Sequence, residues 1–464
     1  MDFDKYFFWL KWLGKIVWEP FWWIILMAVV LFIPFLRPWW WIFLPLFLSI
    51  ELRTLYLWWI NWDFNYSKVK WMVLEIIPPK EILIPLKAME DVFNIMWGPL
   101  YDNPTWREKW GEGILSDASG WMSWEIVSIE GNLHFYLRIP MTQRVTIEAI
   151  LYNHYPEMEI HEVPDYTKNV PQNVPNDEWN LYGEDFVLTQ KPAYPIKTYE
   201  KFFEPQGERI SAEEKRIDPL TSLLESMSRL GPGEQYWMQF ITMPVLERGE
   251  PEFKHSAEKI INKKARRPEA KKQSLLDEIL GEFYNIITGP QKVGSGEKAT
   301  YKWLEAQKTE SGESEMVITP GEREIITEVE NKLKKPIYRT NIKAIYIAKR
   351  ENFDASHRLF GRVYLGHFGA QNLNSIIYSK KTRTKVHYIF RKRRVFLRAR
   401  RLLRNAVLRF PPLFPNRRSE CAIFNTEELA TLYHFPLKIS GLVSPTLTRI
   451  ESKKGGPPPN LPVE

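Results

Sequence analysis

The sequence lacks most of the features that identify an enzyme or a metal site. Its single cysteine, Cys421, excludes a disulfide framework and is typical of a protein in a reducing compartment. Its eight histidines form no His-Glu-x-x-His pair and no cluster with cysteine. No Gly-x-Ser-x-Gly motif occurs, and no carboxylate spacing singles out an acid/base pair. We therefore expect no metal, no cofactor and no catalytic residue.

A phosphate loop is also missing. The stretch from Gly289 to Gly296 has two glycines at about the right spacing, but Ser295 stands where such a loop requires lysine. The surrounding residues are polar and show no preceding strand and no following helix. The stretch does not predict nucleotide binding.

Negative charge is absent from one long stretch. Residues 380–418 contain fifteen Lys or Arg and no Asp or Glu, whereas the whole chain carries +7, so the other residues together carry −8. The basic character of this protein is therefore one local feature, and we expect it to have a local role.

The apolar and Trp-rich run over residues 17–60 is unusually long. Phe21 to Leu36 and Trp39 to Ile50 contain no charged residue, and lysines or arginines flank the run on both sides. This pattern predicts a transmembrane helical hairpin whose two ends face the cytoplasm. One kinked span with a second, interfacial piece is the alternative. The expected membrane-interface belt consists of Trp22, Trp23, Trp39, Trp40, Trp41, Trp58 and Trp59.

Hydrophobic periodicity predicts an α+β fold after this anchor. The order of strand-like and helix-like segments over residues 66–166 is βαββαβ, which is the ferredoxin-like unit. A second such unit is expected over 184–378, with a mobile charged insertion at about 247–314. Asp218-Pro219 and Thr319-Pro320-Gly321-Glu322 predict helix starts. The third strand of this unit is missing or displaced, and Val386 to Phe390 is one candidate for it.

The basic stretch, 379–418, predicts an amphipathic helix from Arg394 to Phe410. Three interpretations remain open: a solvated face over a docked apolar stripe, binding to nucleic-acid phosphates, and binding to anionic lipid. The candidate nucleic-acid-binding residues are Arg391, Lys392, Arg393, Arg394, Arg398, Arg400, Arg401 and Arg404. A C-terminal helix and a Pro-rich tail are expected over 419–464.

Several blocks of the sequence resemble a known family. They include VKWMVLEIIPPKEI, VSIEGNLHFYLRIP, DPLTSLLESMSRLGPGEQ, ITPGEREIITEVENKLKKPIYRTNIKAIYIAKRENF, Gln371 to Asn374, FNTEELATLYHFP and SKKGGPPPNLPVE. Together they are similar to the N-terminal membrane and α/β region of bacterial type IV secretion or conjugation coupling ATPases, the HerA-like family. Members of that family typically continue into an ATPase domain, which this sequence does not contain. The ATPase is then either a separate chain or part of a longer polypeptide.

The resemblance implies a non-catalytic component of a transfer system that positions a HerA-like ATPase. It is expected to be anchored in the bacterial inner membrane, with the bulk of the chain in the cytoplasm. The expected partners are a lipid bilayer, that ATPase, DNA and further copies of this chain. A structural membrane adaptor unrelated to transfer, and a nucleic-acid-processing enzyme, are the alternative functions.

Overall fold

The computed structural model describes a large part of the chain, with gaps. The described residues are 27–42, 52, 55–56, 59–60, 68–79, 84–100, 105, 107, 120–202, 218–245, 251–265, 291–293, 300–302, 319–387, 390–409 and 421–436.

The described elements are mixed helices and strands. The strands are β1 (Trp71–Ile77), β2 (Met122–Ile129), β3 (Asn132–Pro140), β4 (Glu159–Val163), β5 (Trp179–Leu188), β6 (Glu234–Val245), β7 (Gln291–Val293), β8 (Thr300–Lys302), β9 (Ile337–Lys349), β10 (Ile376–Tyr378) and β11 (Ala422–Asn425). The α-helices are α1 (Lys87–Leu100), α2 (Arg144–His154), α3 (Tyr199–Phe202), α4 (Pro219–Ser228), α5 (Pro251–Lys264), α6 (Pro320–Lys334), α7 (Phe360–Gly366), α8 (Arg391–Val407) and α9 (Thr426–Leu432). Short 3-10 helices occur at Arg37–Trp39, Met141–Gln143, Tyr166–Asn169 and Ala355–Leu359.

Nine of the strands form one antiparallel sheet. Their order is β10-β5-β9-β6-β2-β3-β1-β4, and β11 pairs with β9 beside one end of β5. The two longest strands, β6 and β9, pair in register from Glu234 opposite Ala348 to Val245 opposite Ile337. All twelve residues of β6 are buried, which is typical of a strand covered on both faces. The strands β7 and β8 form a separate pair.

The predicted fold class, a transmembrane helical hairpin followed by two ferredoxin-like units, is contradicted, because nine of the described strands form one large sheet and no described helix could cross a membrane. Strand β2, in the first predicted unit, pairs with β6, in the second, over eight residues from Met122–Thr242 to Ile129–Gln235. An isolated unit would leave the backbone donors and acceptors on that edge of β2 unpaired, and here they are satisfied by β6. The two predicted units therefore share one sheet.

Helices cover the two faces of this sheet unequally. The main core lies on the face that carries Leu74, Trp124, Met238 and Tyr346, where α1, α2, α4, α7 and α9 contribute buried residues. A second, smaller core lies on the opposite face, where residues of α8 and the segment 166–174 contact the strands. A third cluster joins α5 and α6 to the ends of β6, β9 and β11.

Two of the predicted helix starts are confirmed. Asp218 accepts a hydrogen bond from the Leu220 backbone N–H at the start of α4. Thr319 and Glu322 form a reciprocal capping box at the start of α6. In both cases the side chain satisfies a backbone donor that the helix itself cannot satisfy, so the signal is local and readable from sequence.

The predicted transmembrane hairpin is contradicted. Within the described ranges, no helix is long and apolar enough to cross a membrane. The helical residues 27–32 are followed by a turn and by the 3-10 helix Arg37–Trp39, whose second residue is Pro38. Residues 17–26, 43–51 and 61–65 of the predicted anchor lie outside the described ranges.

The predicted tryptophan belt depended on that hairpin. Trp39, Trp40, Trp41 and Trp59 are about half exposed, and Trp22, Trp23 and Trp58 lie outside the described residues.

The predicted charged insertion is described only in parts. Helix α5 lies within it and buries Phe253, Ala257, Ile260 and Ile261 in the third cluster. Residues 266–290 and 303–318 lie outside the described ranges. Val386 and His387, part of the candidate third strand, are not in strand conformation, and Tyr388 and Ile389 are not described.

Candidate nucleic-acid interface

Helix α8 is anchored to the sheet by a short apolar stripe. Ala399, Leu402, Leu403 and Ala406 are buried against residues of β1, β2, β3, β5, β6 and β9. A Cβ on Gly183 would lie 2.3 Å from Leu402 Cδ2, so the helix lies close to β5 and a larger residue at 183 would require the Leu402 side chain to move. The helix was predicted from Arg394, and the structure extends it back to Arg391.

The opposite side of α8 is cationic. Arg391, Lys392, Arg393, Arg394, Arg400, Arg401 and Arg404 are exposed, and Arg398 is half-buried. At about 100° per residue, five arginines fall within about a third of the helix circumference, away from the buried stripe. These five are Arg393, Arg394, Arg400, Arg401 and Arg404. The structure therefore brings most of the predicted site residues onto one surface.

The start of α8 is electrostatically unfavourable. Four cationic residues, 391–394, occupy the first turn, and no acidic residue is present there. The N-terminal residue Phe390 has a positive φ of 61° and provides no side-chain cap. Because the helix dipole places positive charge at the N-terminus, a cation there costs roughly 0.3–1 kcal/mol at low salt. An anion beside this turn would relieve that repulsion.

Most of these cations have no carboxylate partner in the part of the chain that is described. None of Arg391, Lys392, Arg393, Arg394, Arg401 and Arg404 forms an ion pair with a described residue. Arg400 donates to the Asn173 carbonyl at 3.3 Å and stacks on Phe396 at 4.5 Å. The charge on this surface is therefore not neutralised by the described residues.

Arg398 differs from its neighbours. Its Nη1 donates to the carbonyl oxygens of Lys380 and Arg383, at 3.2 and 3.1 Å. Those contacts direct Nη1 toward the backbone of residues 380 and 383, whereas the side chains of Arg400, Arg401 and Arg404 are exposed.

Arg409, just beyond α8, has a structural role that the sequence did not reveal. It is fully buried, and its guanidinium donates to both oxygens of Glu125, at 2.9 and 3.2 Å. It also donates to Asp165, at 2.5 and 2.9 Å. Burial opposes the charge, but the two carboxylates outweigh this penalty and raise the pKa of Arg409. The end of α8 is thus fixed to β2 and to the start of the segment 166–174.

The acceptors of this network are themselves hydrogen-bonded. Ser123 Oγ and Tyr166 Oη each donate to Glu125 at 2.6 Å. Burial raises the pKa of Asp165, but the bonds from Arg409 and Thr167 are stronger, so its pKa is lowered overall. A buried charge is tolerated when its partners satisfy it in this way.

Some of the other buried titratable groups join helices to one another. Lys332 of α6 lies 2.9 Å from Glu428 of α9, and Lys335 contacts Glu90 and Glu427 at 2.8 and 2.6 Å. His434 Nε2 lies 2.9 Å from Asp218 Oδ1. Among the described residues, no group of three or more His, Cys, Asp or Glu could hold a metal ion.

Comparison with family models and with curated proteins identifies no relative of this chain. No protein-family model matches the chain, and no curated protein shows significant similarity to it.

Replacing Arg409 by methionine should destabilise the protein. The change leaves Glu125 charged and buried without its main partner, which typically costs about 3–5 kcal/mol. The matched control is Arg404→Met on the exposed side of α8, for which we expect a change within about 0.5 kcal/mol. Urea unfolding followed by tryptophan fluorescence measures both. Equal effects of the two substitutions would contradict the structural role of Arg409.

The His434–Asp218 pair should make stability depend on pH. Burial lowers the pKa of His434, but Asp218 outweighs this effect and raises it above 6.5. The folded protein then holds a proton that the unfolded chain releases. The pair's contribution is therefore complete below about pH 6.5 and is lost as pH rises through the folded pKa.

Asp218→Asn separates this charge effect from helix capping, because asparagine caps a helix about as well as aspartate. We expect the decrease in unfolding free energy above pH 6.5 to be smaller in the variant than in the wild type. Urea titrations at several pH values measure the difference, and parallel pH profiles for the two proteins would exclude the pair as its cause.

Proposed function

We propose that this chain is a non-catalytic module of a transfer machine of the type IV secretion or conjugation kind. In this proposal it contacts DNA through the outer surface of α8 and positions a HerA-like ATPase supplied by another chain. The observation that carries the DNA contact is the row of exposed arginines on a helix whose opposite side is fixed to the sheet. The resemblance of the sequence blocks supports the assignment to a transfer machine.

The burial of α8 favours nucleic acid over lipid as the anionic partner. A helix that lies in a lipid interface inserts its apolar side into the boundary between headgroups and acyl chains. In α8 the stripe formed by Ala399, Leu402, Leu403 and Ala406 is already buried against the sheet. The side of α8 that remains available carries the exposed arginines together with Phe396 and Leu397. Phosphate contacts require only the arginines.

The DNA contact can be tested with Arg391→Ala, Arg393→Ala and Arg394→Ala combined. These residues precede the buried stripe, and their removal lessens repulsion with the helix dipole, so stability should not decrease. Each phosphate contact contributes about 0.9 to the slope of log K, where K is the association constant for DNA, against the logarithm of the salt concentration. We expect the triple variant to weaken duplex binding and to reduce that slope by up to about 2.7, as measured by fluorescence anisotropy over a salt series.

The matched control removes the same charge elsewhere. Lys259 and Lys263 of α5 and Arg323 of α6 are exposed, and their combined change to alanine also removes three positive charges. An equal loss of slope in both triple variants would mean that net charge, rather than α8, determines the binding. An unchanged salt slope of DNA binding in the α8 variant would mean that the cationic side of this helix is only solvated and does not contact DNA.

The partner can be tested by affinity purification of the tagged chain from its native cells. We expect a HerA-like ATPase to be retained, identified by mass spectrometry, and absent when the tag alone is used. Recovery of folded chain without any such ATPase would contradict the positioning role. Nuclease activity or nucleotide hydrolysis by the purified chain would contradict the non-catalytic role.

A further inference from the structure

A loop next to α8 is attached to the sheet by a regular set of hydrogen bonds. Ser379 N–H donates to the Asp185 carbonyl at 2.7 Å, and Thr384 N–H donates to the Gly183 carbonyl at 3.1 Å. In the other direction, the N–H groups of Gly183 and Asp185 donate to the hydroxyl oxygens of Thr384 and Thr382, at 3.1 and 3.2 Å. This loop, residues 379–385, therefore continues the sheet beyond the short strand β10.

The attachment determines which side chains of the loop face solvent. Ser379 and Thr384 are buried, whereas Lys380, Lys381 and Lys385 are exposed. Arg383 is half-buried, and its guanidinium lies 4.7 Å from the centre of the Tyr378 ring. The loop thus holds three lysines outward on a backbone that is fixed at both ends.

Arg398 joins this loop to α8. Its Nη1 reaches the carbonyl oxygens of Lys380 and Arg383 from the middle of the helix. The close approach of Leu402 to Gly183 places the helix over the same strand to which Thr384 is bonded. One arginine side chain is therefore long enough to connect α8 with the loop 379–385.

We propose that Lys380, Lys381 and Lys385 form a second row of phosphate-binding residues, which acts in the same way as the row of arginines on α8. Together the two rows make one composite surface for duplex DNA, and Arg398 is the residue that positions them. This inference rests on the proposed function, because it extends the same contact. Two rows fit a duplex, which presents a phosphate backbone on each side of a groove, about 6 Å apart across the minor groove.

The loop row can be tested by changing Lys380, Lys381 and Lys385 together to alanine. All three are exposed, so folding should be unaffected. We expect the slope of log K against log salt for a DNA duplex to decrease by up to about 2.7. The control is again the triple variant at Lys259, Lys263 and Arg323. A slope equal to that of the wild type, or a decrease no larger than in the control, would overturn the second row.

Comparison with the α8 triple variant separates this inference from the proposed function. If the α8 variant loses slope and the loop variant does not, the composite surface is wrong and the DNA contact of α8 stands. If neither variant loses slope, both are wrong. If the loop variant loses binding to phosphatidylserine vesicles but keeps its DNA slope, the row binds lipid headgroups and the inference is overturned.

The positioning role of Arg398 needs its own pair of variants. Arg398→Gln and Arg404→Gln each remove one charge from α8. We expect Arg398→Gln to weaken DNA binding at least threefold more than Arg404→Gln, because it also releases the loop. Arg398→Lys should restore binding, since an ammonium can donate to both carbonyls. Equal losses of DNA affinity in the two glutamine variants would mean that Arg398 contributes only its charge and does not position the loop.

Discussion

The pairing of β2 with β6, and of β6 with β9, is the constraint on which the rest of this structure depends. It joins strands from both halves of the chain into one sheet whose middle strands are buried on both faces. Strands buried in this way need apolar cover on each side, because they carry apolar residues on both. One face is covered by five helices. The other face of the sheet is covered largely by α8 and the segment 166–174. The basic helix is therefore a part of the hydrophobic core.

The arginines of this region show how one residue type acquires opposite roles. Arg409 faces Glu125 and Asp165 and is buried with its charge satisfied, which fixes the end of the helix. Arg398 faces carbonyl oxygens and fixes a loop. The arginines between and before them meet no carboxylate among the described residues, and remain in water. What each arginine does is decided by the acceptors that the fold places opposite it, rather than by its position in the basic stretch.

The local elements were predictable from the sequence, whereas their assembly was not. The cap at Asp218 and the capping box at Thr319 depend on residues within one turn, so the pattern contains all the information needed. The apolar spacing over residues 394–410 likewise predicted an amphipathic helix. The pairing of β2 with β6 joins residues more than a hundred positions apart, and β-strand patterns do not specify the partner strand. The role of Arg409 was hidden for the same reason, because its carboxylates come from distant segments.

The cationic side of α8 is the part of the helix that folding does not use. Its buried stripe already fixes it to the sheet, and its far end is fixed by Arg409. Apart from Arg400, which donates to the Asn173 carbonyl, the exposed arginines add nothing to those contacts, and at the first turn they oppose the helix dipole. Neutral or acidic residues at 391–394 would make a more stable helix with the same buried stripe. A sequence that keeps four cations there, beside a loop that holds three lysines outward, places positive charge where it costs stability. That cost is understandable if the surface meets a polyanion, whose phosphates would satisfy the arginines and relieve the repulsion at the helix start.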